Sequence, residues 1–117
     1  MTMMKKWVGA AVAAAALTLA PAVLAEGSAE SGKTIFSGKC SVCHSLGAGR
    51  LIGPDLKGVT GRREKTWLLG YIKDPDKYLA TDPIAQELLK EYQIPMANLG
   101  LSDVEVADVV AYLETQV

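Results

Sequence analysis

The chain has 117 residues, with 12 basic and 13 acidic side chains and a formal charge of −1; once an N-terminal segment is set aside, about one small domain remains. It has no basic stripe with interleaved aromatics, which argues against nucleic acid as a partner. A domain this small buries a modest fraction of its surface and generally needs a staple or a cofactor to supplement its core.

The N-terminal stretch MTMMKKWVGAAVAAAALTLAPAVLA places two lysines before an apolar run from Trp7 to Ala20, then Pro21 and small residues up to Ala25. This order is that of a secretory signal, with Val23 and Ala25 suiting a signal peptidase site. Residues 1–25 are therefore expected to be cleaved, leaving a domain of residues 26–117. An uncleaved anchor is the competing possibility, but the run is mostly alanine, which partitions weakly into lipid. No cysteine stands at the cleavage site to carry an acyl chain. Loss of Lys5 and Lys6 leaves ten basic and thirteen acidic residues, a charge of −3. The expected product is a soluble, exported protein of the periplasm with no membrane anchor.

The remaining chain shows helical patterns and no strand alternation, so the expected class is all-α, with about four helices. Ser28 caps a first helix, with Glu30 in its first turn and Ile35 and Phe36 for burial. The segment GAGRLIGPDLKGVTGR is Gly-rich and reads as an irregular loop. From about Arg63 to Lys73, Trp67, Leu68, Tyr71 and Ile72 recur at helical spacing, and Pro75 ends the pattern. Asp82 before Pro83 starts a third helix that runs to about Tyr92. Ser102 and Glu105 form a capping box ahead of Val106, Val109, Val110 and Leu113 on one face of a C-terminal helix.

Both cysteines and the only histidine lie within residues 40–44, CSVCH. In a helical turn Cys40 and His44 point the same way and Cys43 sits one step around. Two thiols can then reach the vinyl groups of one haem edge while the imidazole reaches its iron, and C-x-x-C-H is the c-type haem attachment signature. A CxxC disulfide, a thioredoxin-like redox pair and a zinc site compete with it. The redox pair lacks a surrounding βαβ pattern, and zinc lacks further Cys or His ligands. With the signal removed, Met96 is the last methionine, in the loop QIPMANLG after Pro95, where its soft thioether can be aimed as a second iron ligand. Core filler is the plainer role for a lone methionine.

The stretches C40-S-V-C-H44, G53-P-D-L56, G61-R62, Y71-I-K-D-P75, P95-M96 and V109-V-A-Y-L113 together resemble the class I, single-haem c-type cytochromes over the whole domain. The resemblance implies a compact helical fold around one covalent haem c, with electron transfer as its activity. It also implies that the carbonyl of Pro54 accepts a hydrogen bond from His44 Nδ1, that Arg62 lies near a haem propionate and Tyr71 near the methionine sulfur, and that Gly32 and Phe36 meet Val109 and Tyr112 where the first and last helices cross. Two departures stand out. The stretch 79–93 is longer than in mitochondrial-type members, and Trp67 lies too close to Tyr71 to be given their propionate contact, so it is assigned to the core.

The expected function is that of a one-electron carrier between respiratory redox proteins, docking transiently at the haem edge as a monomer, and not that of an enzyme. A haem subunit of a larger oxidoreductase is an alternative, and so, in another class, is a gas sensor or peroxidase-like protein with an open iron position. Basic residues Lys39, Lys57, Arg62, Arg63 and Lys65 precede acids Asp82, Glu87, Glu91, Asp103, Glu105 and Asp108, an order compatible with a charge dipole or with plain solvated faces.

Overall fold

The computed structural model describes Gly9 and residues 27–117. Apart from Gly9, the expected signal segment and its cleavage boundary fall outside the described residues. Among them the fold is all-helical, with five α-helices: α1 (Ala29–Ile35), α2 (Lys65–Lys73), α3 (Pro75–Thr81), α4 (Pro83–Tyr92) and α5 (Asp103–Glu114). No helix among them is long and apolar enough to cross a membrane.

Local chemistry starts each helix. The Ser28 hydroxyl accepts from the amide of Ser31 at the head of α1, and Ser102 and Glu105 close a full capping box on α5. Hydrogen bonds from Ser102 also hold the Glu105 carboxyl below its usual range. Helix α4 begins as expected, with Asp82 accepting from Ala85 and Pro83 in the first turn. The additional helix is α3. Pro75 ends α2 but also begins a new helix, because Asp74 accepts from the amide of Lys77 and the fixed φ of proline suits a first helical turn. The Asp-Pro pair at residues 74–75 thus carries the same start signal as residues 82–83.

The first helix does not simply stop. At Phe36 the winding widens into a π-helical segment, Phe36–Cys40, which carries the chain to the first cysteine. Helix α5 lies across α1, and α2 also packs on α5. Val106, Val109, Val110 and Leu113 of α5 are buried against Phe36, Leu68, Ile72 and Leu101. The Phe36 and Tyr112 rings meet at 5.6 Å.

The closeness of the α1–α5 crossing depends on Gly32. A Cβ there would run into the backbone carbonyl of Asp108 and the Cβ of Tyr112. The Asp108 side chain meanwhile accepts from the amide of Ser28 at 2.7 Å, so the two helices are tied at one point and touch backbone to backbone at the next.

Gly32→Ala should therefore destabilise the holoprotein by about 3 kcal/mol or more, the upper end of overpacking costs, because the obstructing atoms are backbone and cannot swing away. Gly38→Ala is the control, since a Cβ at Gly38 meets nothing within 4 Å. Urea unfolding of both variants checks this; equal midpoints would show that the crossing tolerates a methyl group.

Candidate functional site

The π-helical segment ends in the turn that carries the two thiols and the imidazole. The amides of Cys43 and His44 both donate to the carbonyl of Cys40, at 3.1 and 3.0 Å, so residues 40–44 form one helical turn. Cys40 is buried at 8% exposure, while Cys43 and His44 are half-buried. Neither cysteine is in a disulfide. Burial pushes the Cys40 thiol up, with Lys39 opposing and Cys43 adding to the rise.

His44 Nδ1 lies 2.9 Å from the carbonyl oxygen of Pro54. A carbonyl only accepts, so Nδ1 carries the proton of this bond, and the lone pair of the neutral ring is then the one on Nε2. The ring needs Gly53 beside it, because a Cβ there would stand 2.7 Å from His44 Cε1.

The loop supplying that carbonyl is held by its own side chains. The Asp55 carboxylate accepts from the amides of Gly47, Gly49 and Lys57 at 2.8–2.9 Å. These three bonds, that from Lys57 first, hold its pKa below the usual value. Arg62 donates to the carbonyls of Lys57 at 2.7 Å and Asp55 at 3.1 Å. The amide of Gly58 donates to Gln116 beyond α5 at 2.7 Å.

All seven residues singled out from the sequence, Cys40, Cys43, His44, Pro54, Arg62, Tyr71 and Met96, line one cavity of about 930 Å³. Its volume is in the range of cofactor pockets. Its inner wall is apolar, with Leu68, Ile72, Leu99 and Leu113, and it carries five cations, Lys39, Arg50, Lys57, Arg62 and Arg63, against two carboxylates, Asp55 and Glu91. Two free thiols, an imidazole with one nitrogen left as donor, a thioether, an apolar wall and an excess of cations suit a large apolar macrocycle with an iron centre and acidic substituents. The residues present fit haem c.

The structure adds contacts to several of these residues. Met96 is half-buried and packs on the core. Tyr71 is buried at 8% exposure and stacks on Trp67 at 4.8 Å; burial, then the charge of Asp82, raises its phenol pKa. Trp67 packs on the core as expected, but it also lines the cavity. Its indole N–H donates to Asp82 Oδ2 at 2.9 Å. The bond from the Ala85 amide, and then that from the indole, keep the Asp82 carboxyl below its usual range. Sequence reasoning missed Asp55 and Arg50. The side chain of Asp55, inside G-P-D-L, had no periodic signal to betray its three backbone partners. The partners of Arg50 lie 41 residues away.

Comparison with known proteins points to one family. The cytochrome c family model matches residues 29–116. A cytochrome c-553-like protein of Synechocystis is 29% identical over 90 residues, spanning 77% of this chain and 70% of that protein. A cytochrome c of Sesamum indicum is 31% identical, over 75% of this chain and 89% of its own. Among solved structures, a cytochrome c from Rhodothermus marinus superposes with a TM-score of 0.72 at 30% identity, covering 74% of each chain. The cytochrome c domain of the pp3183 protein from Pseudomonas putida gives 0.64 at 40% identity, over 72% of this chain and 85% of that one.

The fold and these relatives define a haem electron carrier. The chain belongs to the cytochrome c family, and its cofactor is covalently bound haem c.

Because the Asp55 carboxyl is held below its ordinary value, its contribution to stability is fully present above that value and is lost as pH falls through the lower folded pKa. Asp82 and Glu105 act in the same direction. Asp55→Asn should therefore be less stable than wild type at neutral pH, and the two unfolding midpoints should converge below about pH 4. A gap that stays constant with pH would show that the charge of Asp55 does not hold the loop.

Proposed function

We propose that this cytochrome is a monohaem one-electron carrier working between respiratory redox partners outside the cytoplasmic membrane, in the periplasm, after removal of residues 1–25. The domain of residues 26–117 would act as a monomer. The observation that supports this most is that His44, with Nδ1 committed to Pro54, and Met96 line one cavity with both thiols. In this proposal Cys40 and Cys43 hold the haem through thioether bonds, and His44 and Met96 are the two iron ligands. Bound haem c supplies a one-electron iron couple.

The remaining roles belong to the chain. The Pro54 carbonyl fixes the His44 ring and makes Nε2 a stronger donor. The Met96 thioether, neutral and soft, favours the ferrous state and raises the potential. The apolar wall of Leu68, Ile72 and Leu99 keeps water away. Arg62, with two donors already on loop carbonyls, brings a fixed positive charge to the cavity, in keeping with a place near a propionate. Tyr71 lines the same cavity as Met96 and is assigned to the methionine side. With His44 and Met96 both holding the iron, no iron site would be left for a substrate, in keeping with electron transfer and not catalysis.

The partner contact is assigned to the face around the cavity opening. Val42, Leu51, Ile52 and Ile94 are 70, 48, 47 and 58% exposed, and Ile52 and Ile94 line the cavity. This small apolar set suits a transient contact better than the permanent interface of a complex subunit.

Met96→Ala tests the ligand assignment. The potential should fall by more than about 59 mV, a factor of ten for one electron. The ferric charge-transfer band of the sulfur ligand should vanish, and the ferrous protein should begin to bind carbon monoxide. A wild type that already binds carbon monoxide readily, with a variant of unchanged potential, would make Met96 core filler and favour the sensor or peroxidase alternative. If the cations around the cavity steer docking, the bimolecular rate with the native partner should fall as ionic strength rises. A flat dependence would assign the contact to the apolar side chains.

A further inference from the structure

The segment that carries Met96 leaves α4 through Gln93, whose φ of 62° is the left-handed conformation that an L side chain adopts only at a cost. Such a conformation persists when its surroundings hold it. Downstream, the segment is fastened several times. Asn98 donates to Asp76 at 3.2 Å and accepts from the amide of Gly100 at 3.0 Å. Leu101 is buried at 2% exposure, and its carbonyl accepts from Lys73 Nζ at 2.8 Å.

Upstream, the fastening comes from the opposite side of the cavity. Arg50, in the loop that follows His44, places its guanidinium 4.1 Å from the centre of the Tyr92 ring and donates from Nη2 to the carbonyl of Glu91 at 3.0 Å. Glu91 and Tyr92 are the last two residues of α4. That carbonyl is one of the four that a helix leaves unpaired at its C-terminus, where the dipole favours a cation. One side chain thus supplies a cation–π contact, a charge-assisted hydrogen bond and a charge at the helix end. Arg50, Glu91 and Tyr92 all line the cavity, and Tyr92 stands four residues before Met96.

We propose that Arg50 is a positioning residue for the Met96 ligand, clasping the His44-bearing loop to the end of α4 so that the Met96 segment stays closed over the cavity. The proposal rests on Met96 being an iron ligand. Releasing the clasp would let the strained turn at Gln93 relax and raise the fraction of molecules in which Met96 has swung away. An added ligand competes with Met96 for the iron, and its apparent affinity scales with that open fraction.

The test is imidazole titration of the ferric holoprotein, followed by the shift of the main haem absorption band and, where Met96 is present, by loss of the sulfur charge-transfer band, together with urea unfolding of each variant. Arg50→Ala should strengthen apparent imidazole binding about tenfold, equivalent to ~1.4 kcal/mol, the scale of one solvent-screened cation–π contact with one charge-assisted hydrogen bond. Tyr92→Leu, which keeps apolar bulk but removes the ring, should strengthen it by a smaller factor. Arg50→Lys, which keeps the charge but loses the planar stack, should fall between wild type and Arg50→Ala. In a Met96→Ala background, Arg50→Ala should change nothing, because no sulfur remains to be displaced. A lowered unfolding midpoint with unchanged imidazole affinity in both Arg50→Ala and Tyr92→Leu would make the clasp merely structural and overturn the proposal. An effect of Arg50→Ala that persists undiminished without Met96 would overturn it as well. A wild type that binds imidazole as tightly as Met96→Ala would overturn the ligand assignment itself, an outcome recognisable without any Arg50 variant.

Discussion

The backbone contact between α1 and α5 at Gly32 and Asp108 is the constraint on which the rest of this fold depends. Helix α1 leads directly into the turn that carries Cys40, Cys43 and His44, and α5 provides the apolar floor of Val106, Val109, Val110 and Leu113 beneath it. A methyl group at residue 32 would push these helices apart at the carbonyl of Asp108. The site would shift with them, since only the last turn of α1 and the π-helical segment lie between the crossing and the first cysteine. A small domain wrapped around a large cofactor has little other core, so one tight helix pair carries a disproportionate share of its order.

The loop between the thiol-bearing turn and α2 has no regular structure beyond a 3₁₀ turn at Val59–Gly61, yet it has to present the Pro54 carbonyl to His44 within hydrogen-bond range. It does so with an internal scaffold. Asp55 gathers three amides, and Arg62 gathers two carbonyls of the same loop. The loop therefore satisfies its own backbone groups without a sheet or a long helix. Stiffness where the imidazole is held contrasts with the other side of the cavity, where the Met96 segment begins at a strained residue and is bridged back to this loop by Arg50. The two sides of the cavity are thus unequal, one rigid by construction and one held by a clasp.

The helices were legible to the extent that their signals are local. The capping box of Ser102 and Glu105 and the face of Val106, Val109, Val110 and Leu113 are as the spacing implied, because a cap and a 3.6-residue period involve only near neighbours. The start at Asp82 and Pro83 was equally plain. The same pair at Asp74 and Pro75 reads in the sequence as a stop and acts in the structure as a start as well, because a proline that ends one helix is chemically free to begin the next when an acid precedes it. The widening of α1 into a π-helical segment left no mark in the sequence, since nothing in the spacing of Phe36–Cys40 sets a wider turn apart from an α-helical one.

The chemistry of the site was legible in five residues. Two thiols and an imidazole inside five residues stay close together whatever fold the rest of the chain adopts, and in a helical turn that spacing suits one haem edge and its iron. Which distant groups face them followed from the packing of the folded chain. Met96, 52 residues beyond His44, reaches the same cavity because α2, α3 and α4 bring the chain back across it. Trp67 finds Asp82, and Arg50 finds Tyr92 and the end of α4. Such pairings depend on how helices cross and where loops close. Neither leaves a period or a cap in the sequence, because the energy that selects them comes from packing between segments and not from any one segment's own residues.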